Sequence, residues 1–252
     1  MRIRFMLSHR DGAILPIDYR AAISAWIYKT IGQSDTAFAK QLHEEGHPLG
    51  HRKFKLFTYG NLKPERYEAK GGTFILSQGP TILDVSTYLS EQAQHLMMGM
   101  FKDMKFHLGS RTRPEYFEIQ QAVVLPDPKW AEEMTFQMLT PCCISKGIPD
   151  SRTSEYLPPD HPEFGERLLQ NLKNKCVALP PQLRPGLPEK IGCEFELLGD
   201  YRARLHRIHD SRIKGFTFRF RIKAPIELIK MGYYGGFGEK GAALGFGFAS
   251  TC

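Results

Sequence analysis

GFTFRFRIK, residues 215–223, alternates apolar and polar residues along its whole length. A β-strand has a side-chain period of two, so this alternation predicts a strand with an apolar face and a polar face. The apolar face carries Phe216, Phe218, Phe220 and Ile222. The opposite face carries Thr217, Arg219, Arg221 and Lys223.

The segment before this strand, Cys193 to Ile208, also reads as β and places Arg202, Arg204 and His206 on one face. If the two strands pair, they form a hairpin with an apolar underside and a cationic top. Such a top is suited to a chain of phosphates, although an ordinary solvated sheet face is the alternative.

Further elements surround this hairpin in the second half of the chain. We expect a strand before it, a helix, then after it a short helix opened by Pro225 and a last strand. Their predicted limits are Met134–Leu139, Glu163–Lys175, Pro225–Met231 and Leu244–Ala249.

The first half of the chain has a similar order. The predicted strands are Arg2–Leu7, Lys53–Tyr59, Thr73–Ser77 and Phe117–Val124, and the predicted helices are Tyr19–Ile31, Ser34–His43 with Ser34 as the N-cap, and Asp84–Lys102. The sequence therefore predicts an α+β fold of tandem ferredoxin-like (RRM-like) β-α-β-β-α-β domains, residues 1–126 and 127–252, with a C-terminal glycine-rich loop.

The positive charge of the chain is concentrated in the hairpin. The protein has 34 Lys and Arg against 27 Asp and Glu, a net charge of +7. Residues 201–223 hold eight of these cations and one acid, Asp210, which leaves 26 of each sign for the other 229 residues. A basic stripe on a balanced protein indicates a polyanionic partner.

Several classes of protein are not expected. The sequence contains no run of about 18 apolar residues, so no transmembrane helix is expected. Its N-terminal sequence does not resemble a secretion signal. The five cysteines are odd in number and contain no C-x-x-C pair, so neither a disulfide framework nor a zinc ribbon is expected. We therefore expect a cytoplasmic protein without a membrane partner.

Residues 232–247, GYYGGFGEKGAALGFG, contain seven glycines. Glycines allow successive backbone N–H groups to turn toward an anion, and Lys240 adds a cation. The segment lacks the G-x-x-x-x-G-K-[ST] pattern of a Walker loop and does not open a β-α-β unit. A tight glycine-rich turn without a ligand is the alternative. The candidate anion-binding residues of this segment are Gly236, Gly238, Lys240, Gly245 and Gly247.

The pattern G-F-G-E-K-x-x-x-L-G-F-G in this segment resembles the C-terminal motif of the CRISPR repeat-processing endoribonucleases of the RAMP superfamily. The first half resembles that family at L-P-I-D-Y, W-I-Y-K, Q-L-H-E-E-G and K-L-F-T-Y, within residues 15–59. One departure is that six residues separate the two G-F-G triplets, where the family usually has five.

This resemblance implies an enzyme that cuts CRISPR precursor RNA within its repeats and can retain the product guide RNA. The RNA 2′-hydroxyl attacks the adjacent phosphorus and leaves 2′,3′-cyclic phosphate and 5′-hydroxyl ends, without an obligatory metal or other cofactor. The resemblance assigns the catalytic roles to Tyr28, His43 and Lys55. An imidazole suits proton transfer near neutral pH, but which residue is the base and which the acid stays open.

His47 and His51 follow His43 at four-residue steps and are the fallback candidates. The same spacing suggests a metal site, but Gly46 and Pro48 interrupt the helix that would align the three histidines, so no metal is expected.

Two other functions stay open. The chain could be a non-catalytic RNA-binding RAMP subunit of a guide-RNA effector complex, which needs the hairpin and the glycine-rich segment but not His43. It could also be a general nucleotide- or phosphate-binding protein. The expected partners are CRISPR repeat RNA, effector-complex proteins and a second copy of the chain.

Overall fold

The computed structural model describes residues 1–110, 113–148, 154–188, 192–208 and 211–252. The elements of the first half are, in chain order, β1 (Arg2–His9), β2 (Ala13–Pro16), α1 (Arg20–Ser34), α2 (Thr36–Glu44), β3 (His47–Leu49), β4 (Arg52–Phe54), β5 (Phe57–Tyr59), β6 (Lys63–Pro64), β7 (Tyr67–Lys70), β8 (Thr73–Leu76), β9 (Thr81–Thr87), α3 (Ser90–Lys102), β10 (Lys105–Ser110) and β11 (Arg113–Leu125).

The elements of the second half are β12 (Glu133–Met138), β13 (Ser145–Gly147), β14 (Ser154–Tyr156), α4 (Phe164–Ala178), β15 (Glu194–Ile208), β16 (Ser211–Lys223), α5 (Ile226–Gly235) and β17 (Ala249–Thr251). Short 3-10 turns lie at Pro181–Leu183 and Ala242–Leu244. No helix among the described residues is both long enough and apolar enough to cross a membrane.

Each half contains an antiparallel sheet with the same strand order. The first sheet has the order β10-β11-β1-β9-β5, and the second has the order β15-β16-β12-β17. In each sheet the first strand of the unit is central: β1 lies between β9 and β11, and β12 lies between β16 and β17. That order, with three helices in the first unit and two in the second, confirms the predicted α+β fold of tandem ferredoxin-like units. The domain boundary at residue 126 stays a prediction.

The prediction that residues 84–102 form one helix is wrong at its beginning. Residues 81–87 form β9, a central strand of the first sheet, and α3 begins at Ser90. Asp84 occupies a strand because its buried carboxylate accepts hydrogen bonds from Arg4 on the adjacent strand, at 2.7 and 3.0 Å. The β-branched residues Val85 and Thr87 favour this strand as well.

Three other predicted elements differ in the structure. The strand at residues 73–77 is β8, which pairs with β2 and β7 in a separate small sheet. The strand at residues 53–59 is divided at Leu56, whose φ is +55°, into β4 and β5. The last strand begins at Ala249 rather than Leu244, because the intervening glycines hold turns.

The two units are joined by buried contacts. Phe54 and Leu56 of the first unit belong to the hydrophobic cluster of the second. Arg2, which is 5% exposed, lies with its guanidinium 3.3 Å from the ring centre of Tyr233 and donates to the Tyr233 carbonyl at 2.8 Å. These contacts pack the two units against each other.

Helices α1 and α3 approach closely at Gly99, where an added Cβ would lie 1.7 Å from the Thr30 carbonyl oxygen. Gly99→Ala should lower the free energy of unfolding by about 1–3 kcal/mol, because this overpacking exceeds the gain in helix propensity. Chemical denaturation measures the change. Gly147→Ala is the control, since a Cβ there has no neighbour within 4 Å. Equal stability of the two variants would contradict the close approach.

Candidate functional site

Tyr28, His43 and Lys55 come from three different elements and lie together. Tyr28 is in α1, His43 is in the last turn of α2, and Lys55 lies between β4 and β5. The rings of Tyr28 and His43 are 4.7 Å apart between centroids and nearly perpendicular. The ammonium of Lys55 donates to the carbonyl oxygens of Leu42 and His43, both at 2.6 Å. The fold thus groups the three residues that the family resemblance singled out.

The local sequence explains this arrangement. Asp35, rather than the predicted Ser34, caps α2, because its carboxylate accepts a hydrogen bond from the Phe38 N–H at 2.9 Å. Gly46 follows the helix with φ +57°, and a Cβ there would lie 2.5 Å from the Phe54 carbonyl oxygen and 2.9 Å from Cδ of Lys55. A glycine at this position therefore lets Lys55 reach the end of α2.

The three side chains differ in exposure and in pKa. His43 is exposed, whereas Tyr28 and Lys55 are half-buried. Burial raises the pKa of Tyr28 well above its usual range. Burial, followed by the charge of Lys53, lowers the pKa of Lys55 to about 8, and Glu45 acts in the opposite direction. At neutral pH the phenol is therefore neutral and Lys55 is mostly a cation.

The fallback histidines lie on the β3–β4 hairpin instead of extending α2. His47 is half-buried, and its pKa is lowered first by burial and then by the charge of Lys55, against a raising effect of Glu91. His51 is exposed in the turn of the hairpin. Within the described ranges, no group of three His, Cys, Asp or Glu side chains is arranged to hold a metal ion.

The basic hairpin has the predicted faces. Phe216, Phe218, Phe220 and Ile222 are at most 1% exposed, and Arg219, Arg221 and Lys223 are exposed. A bulge between Leu198 and Tyr201 keeps Arg202 and Arg204 on the same face as Arg219. The apolar underside ends before the tip, because Leu205 is 64% exposed.

The charge on that face is divided into two parts. Near the base of the hairpin, Arg221 pairs with Glu196 and, at 3.6 Å, with Glu133, while Lys223 lies 3.9 Å from Glu194. Toward the tip, Arg202, Arg204 and Arg219 have no acid partner among the described residues. Asp210, the acid within residues 201–223, lies outside the described residues.

A cavity of about 680 Å³ lies between the units beside these unpaired cations. Arg202, Arg204 and Arg219 line it from the hairpin, and Arg20 and Asn61 line it from the first unit. Sequence reasoning missed Arg20 and Asn61. Arg20 directly follows L-P-I-D-Y, and Asn61 lies two residues after K-L-F-T-Y, but neither motif by itself indicates a cleft.

The glycine-rich segment is mostly buried between the units. Gly236, Gly238, Gly245 and Gly247 are all buried, whereas Lys240 is half-buried with its ammonium 5.0 Å from the ring centre of Tyr156.

The backbone groups of this segment form hydrogen bonds within the protein. Arg20 donates to the Gly245 carbonyl at 3.1 Å, Thr58 donates to the Phe246 carbonyl at 2.8 Å, and the fully buried Lys175 donates to the carbonyls of Gly236 and Gly238. The N–H groups of Phe237, Glu239 and Gly247 donate to backbone carbonyls. These three N–H groups are therefore not directed at an external anion, contrary to the expectation that successive N–H groups of the segment turn toward one. RNA binding by these glycines stays a prediction.

Two family models match the chain. The one described as "CRISPR associated protein Cas6, C-terminal" matches residues 125–251, and the one described as "CRISPR-associated protein Cas6, N-terminal" matches residues 14–117. Together they account for both ferredoxin-like units.

The chain is also similar to named relatives along nearly its whole length. It is 28% identical to "CRISPR-associated endoribonuclease Cas6 1" of Methanocaldococcus jannaschii over 98% of this chain and 91% of that protein. It is 28% identical to "CRISPR-associated endoribonuclease Cas6" of Pyrococcus furiosus over 99% of this chain and 88% of that protein.

Solved structures share the fold. One described as "CRISPR associated protein Cas6" is 26% identical, with a TM-score of 0.78 over 100% of this chain and 99% of that chain. Another, described as "An RAMP protein binding different RNA substrates", is 22% identical, with a TM-score of 0.79 over 100% and 99% of the two chains. At 22% identity, the similarity to the second structure is evidence for the fold alone.

Lys175 holds the first part of the glycine-rich segment. Lys175→Met should leave the carbonyls of Gly236 and Gly238 without this donor, so the free energy of unfolding should fall by about 1–3 kcal/mol. The amide hydrogens of Phe237 and Glu239 should exchange with solvent roughly tenfold faster or more. Hydrogen exchange followed by mass spectrometry measures this. Lys173→Met, on the same helix, is the control, and unchanged exchange in Lys175→Met would refute the role.

Proposed function

The chain belongs to the Cas6 family of CRISPR-associated proteins, and from this premise we propose that it is an endoribonuclease that cuts CRISPR precursor RNA within its repeats. The relatives named as endoribonucleases, each 28% identical to nearly the whole chain, support this activity. The single observation that carries it is the grouping of Tyr28, His43 and Lys55, with the two rings 4.7 Å apart.

The proposed reaction uses the RNA's own nucleophile. The 2′-oxygen attacks the adjacent phosphorus, the bond to the 5′-oxygen of the next nucleotide breaks, and the proton lost by the 2′-hydroxyl is balanced by a proton given to that leaving oxygen. A base, an acid and a positive charge near the phosphorane are sufficient for this route. We therefore propose a reaction that needs no metal ion.

The protonation states support a division of roles. Tyr28 stays a neutral phenol at neutral pH because burial raises its pKa, so it suits hydrogen-bond donation to a developing negative charge. Lys55 supplies the cation that neutralises the phosphorane. His43 is exposed and lies against Tyr28, which suits the proton transfer.

Helix α1 connects RNA binding with cleavage in this proposal. Arg20 lines the cationic cavity at one end of the helix, and Tyr28 lies about 12 Å farther along the helix axis. RNA held by Arg202, Arg204 and Arg219 could thus extend along α1 to His43. The same contacts would retain the product guide RNA after cleavage. Contacts with effector-complex proteins and with a second copy of the chain stay predictions.

His43→Ala should reduce single-turnover cleavage of repeat RNA by about 10²-fold or more, because general acid–base catalysis contributes about 10²- to 10⁴-fold. Its affinity for the RNA should change less than about threefold, since phosphate contacts elsewhere supply most of the binding. Denaturing gels and filter binding, both in EDTA, measure the two effects.

His107→Ala, at an exposed position on β10, is the control for this experiment. Cleavage by His43→Ala at the wild-type rate would reject the assignment of His43, and loss in His47→Ala alone would transfer the role to His47. Tight binding by the wild-type protein without any product would instead favour a non-catalytic RNA-binding subunit.

The lowered pKa of Lys55 predicts a pH dependence. Lys55 is charged below about pH 8 and loses its proton as the pH rises through that value, so the cleavage rate should fall above about pH 8. Lys53→Ala should shift this fall to higher pH, because the charge of Lys53 lowers the pKa of Lys55. Single-turnover rates between about pH 6 and about pH 9.5 measure the profile. An identical profile for the wild-type protein and Lys53→Ala would contradict the role of Lys55.

A further inference from the structure

A second cavity, of about 590 Å³, adjoins the cationic one. Its walls come from the small sheet β2-β8-β7, from the segment after β5, and from the hairpin strand β15. The two cavities share Arg20, Asn61, Arg204 and His206. They are therefore parts of one continuous cleft between the units, and the second part extends away from the hairpin toward the small sheet.

An aromatic wall distinguishes this second cavity. Tyr67 on β7 and Phe74 on β8 contact each other with ring centroids 5.3 Å apart, and Tyr67 is 56% exposed. Ile17, also in the wall, is 52% exposed. Exposed aromatic rings beside a cationic groove are the usual platforms for unpaired bases, because every base has a π face.

His206 presents a buried polar atom without a partner. Its Nε2 is inaccessible and makes no hydrogen bond to any of the described residues. Its ring lies against Phe246 of the glycine-rich segment, with 5.0 Å between centroids. Burial, followed by the charges of Arg20 and Arg204, lowers its pKa to about 4, so the imidazole is neutral at neutral pH. A buried polar atom of this kind normally has a hydrogen-bond partner. Rotation of the imidazole toward the cavity that it lines would bring Nε2 within reach of a ligand.

The charges around the cavity select the class of ligand. Arg204 is exposed and has no acid partner within the described part of the chain. Lys63, half-exposed, lies 3.6 Å from Asp84 and faces the same cavity. A ligand that combines a flat aromatic group with flanking negative charge fits the stacking wall, the neutral imidazole and the two cations together.

We propose that this cavity binds one unpaired nucleobase of the repeat RNA, stacked on Tyr67, hydrogen-bonded by His206 and flanked by a phosphate on Arg204. This inference rests on the proposed function, because it takes repeat RNA as the ligand. It adds a base-binding site on the side of the cleft that is away from the base of the hairpin, where Arg221 and Lys223 pair with acids. Tyr67 and His206 are here specificity-determining residues and not part of the catalytic group.

A series of repeat RNAs, each with one abasic nucleotide, tests the site. Binding is measured by filter binding in the full-length His43→Ala variant. One abasic position should weaken binding by about tenfold, as expected for the loss of one stacked base. Tyr67→Ala should weaken binding of the intact RNA by a similar factor. In that variant, the same abasic position should reduce the affinity by less than about twofold. His206→Ala should reduce the penalty at the same position.

Tyr116 and His107 form the matched control pair. They are exposed, contact each other across β10 and β11 with ring centroids 6.3 Å apart, and lie outside both cavities. Their alanine variants should leave every abasic penalty unchanged. Melting temperatures of all four variants identify any loss of folding, and none is expected for Tyr67→Ala because its side chain is exposed.

The outcomes separate the site from the function. If the wild-type protein cuts repeat RNA but no abasic penalty changes in Tyr67→Ala, the base-binding site is wrong and the proposed function stands. If Tyr116→Ala changes the penalties as much as Tyr67→Ala, the site is also wrong. If the wild-type protein neither binds nor cuts repeat RNA, the proposed function itself fails.

Discussion

The close packing of backbone against backbone in the glycine-rich segment is the constraint on which the site depends. At Gly247, with φ +77°, a Cβ would lie 2.0 Å from the Phe237 carbonyl oxygen, so any side chain would separate these two parts of the segment. The segment accepts hydrogen bonds from Arg20 and Thr58 of the first unit and from Lys175 of the second. It thereby connects α1 and β5 of the first unit to α4 of the second.

This packing has a chemical consequence for RNA binding. Arg20 donates both to the glycine-rich segment and to the side chain of Asn61, while its guanidinium borders both cavities of the cleft. Because α1 continues from Arg20 to Tyr28, the position of the proposed catalytic group depends on the same helix. A change in the glycine-rich segment should therefore affect RNA position as well as stability.

Sequence periodicity predicted the elements whose two faces differ in polarity. The faces of β16 followed directly from the alternation in GFTFRFRIK, and the order of the elements gave the ferredoxin-like units. Periodicity failed at residues 84–87, because β9 is buried on both faces and its Asp84 is neutralised by Arg4, which is distant in sequence. Its failure at Leu56 has a different cause, a single residue with positive φ that divides one apparent strand.

The candidate site was accessible to sequence reasoning only in part. Resemblance indicated Tyr28, His43 and Lys55. Charge counting indicated the hairpin, but it did not show that Arg221 and Lys223 form ion pairs and that the unpaired cationic surface is therefore smaller. His206 and Tyr67 were not singled out as a pair, because they are 139 positions apart and line the same cavity only in the folded protein.

The chemistry of the RNA ends tests the central claim most directly. Repeat RNA labelled at either end is cut by the wild-type protein, and the termini are identified by mass spectrometry. Attack by the 2′-hydroxyl predicts a 2′,3′-cyclic phosphate on the upstream fragment and a 5′-hydroxyl on the downstream one. A 3′-hydroxyl with a 5′-phosphate would require water as the nucleophile and would contradict the account.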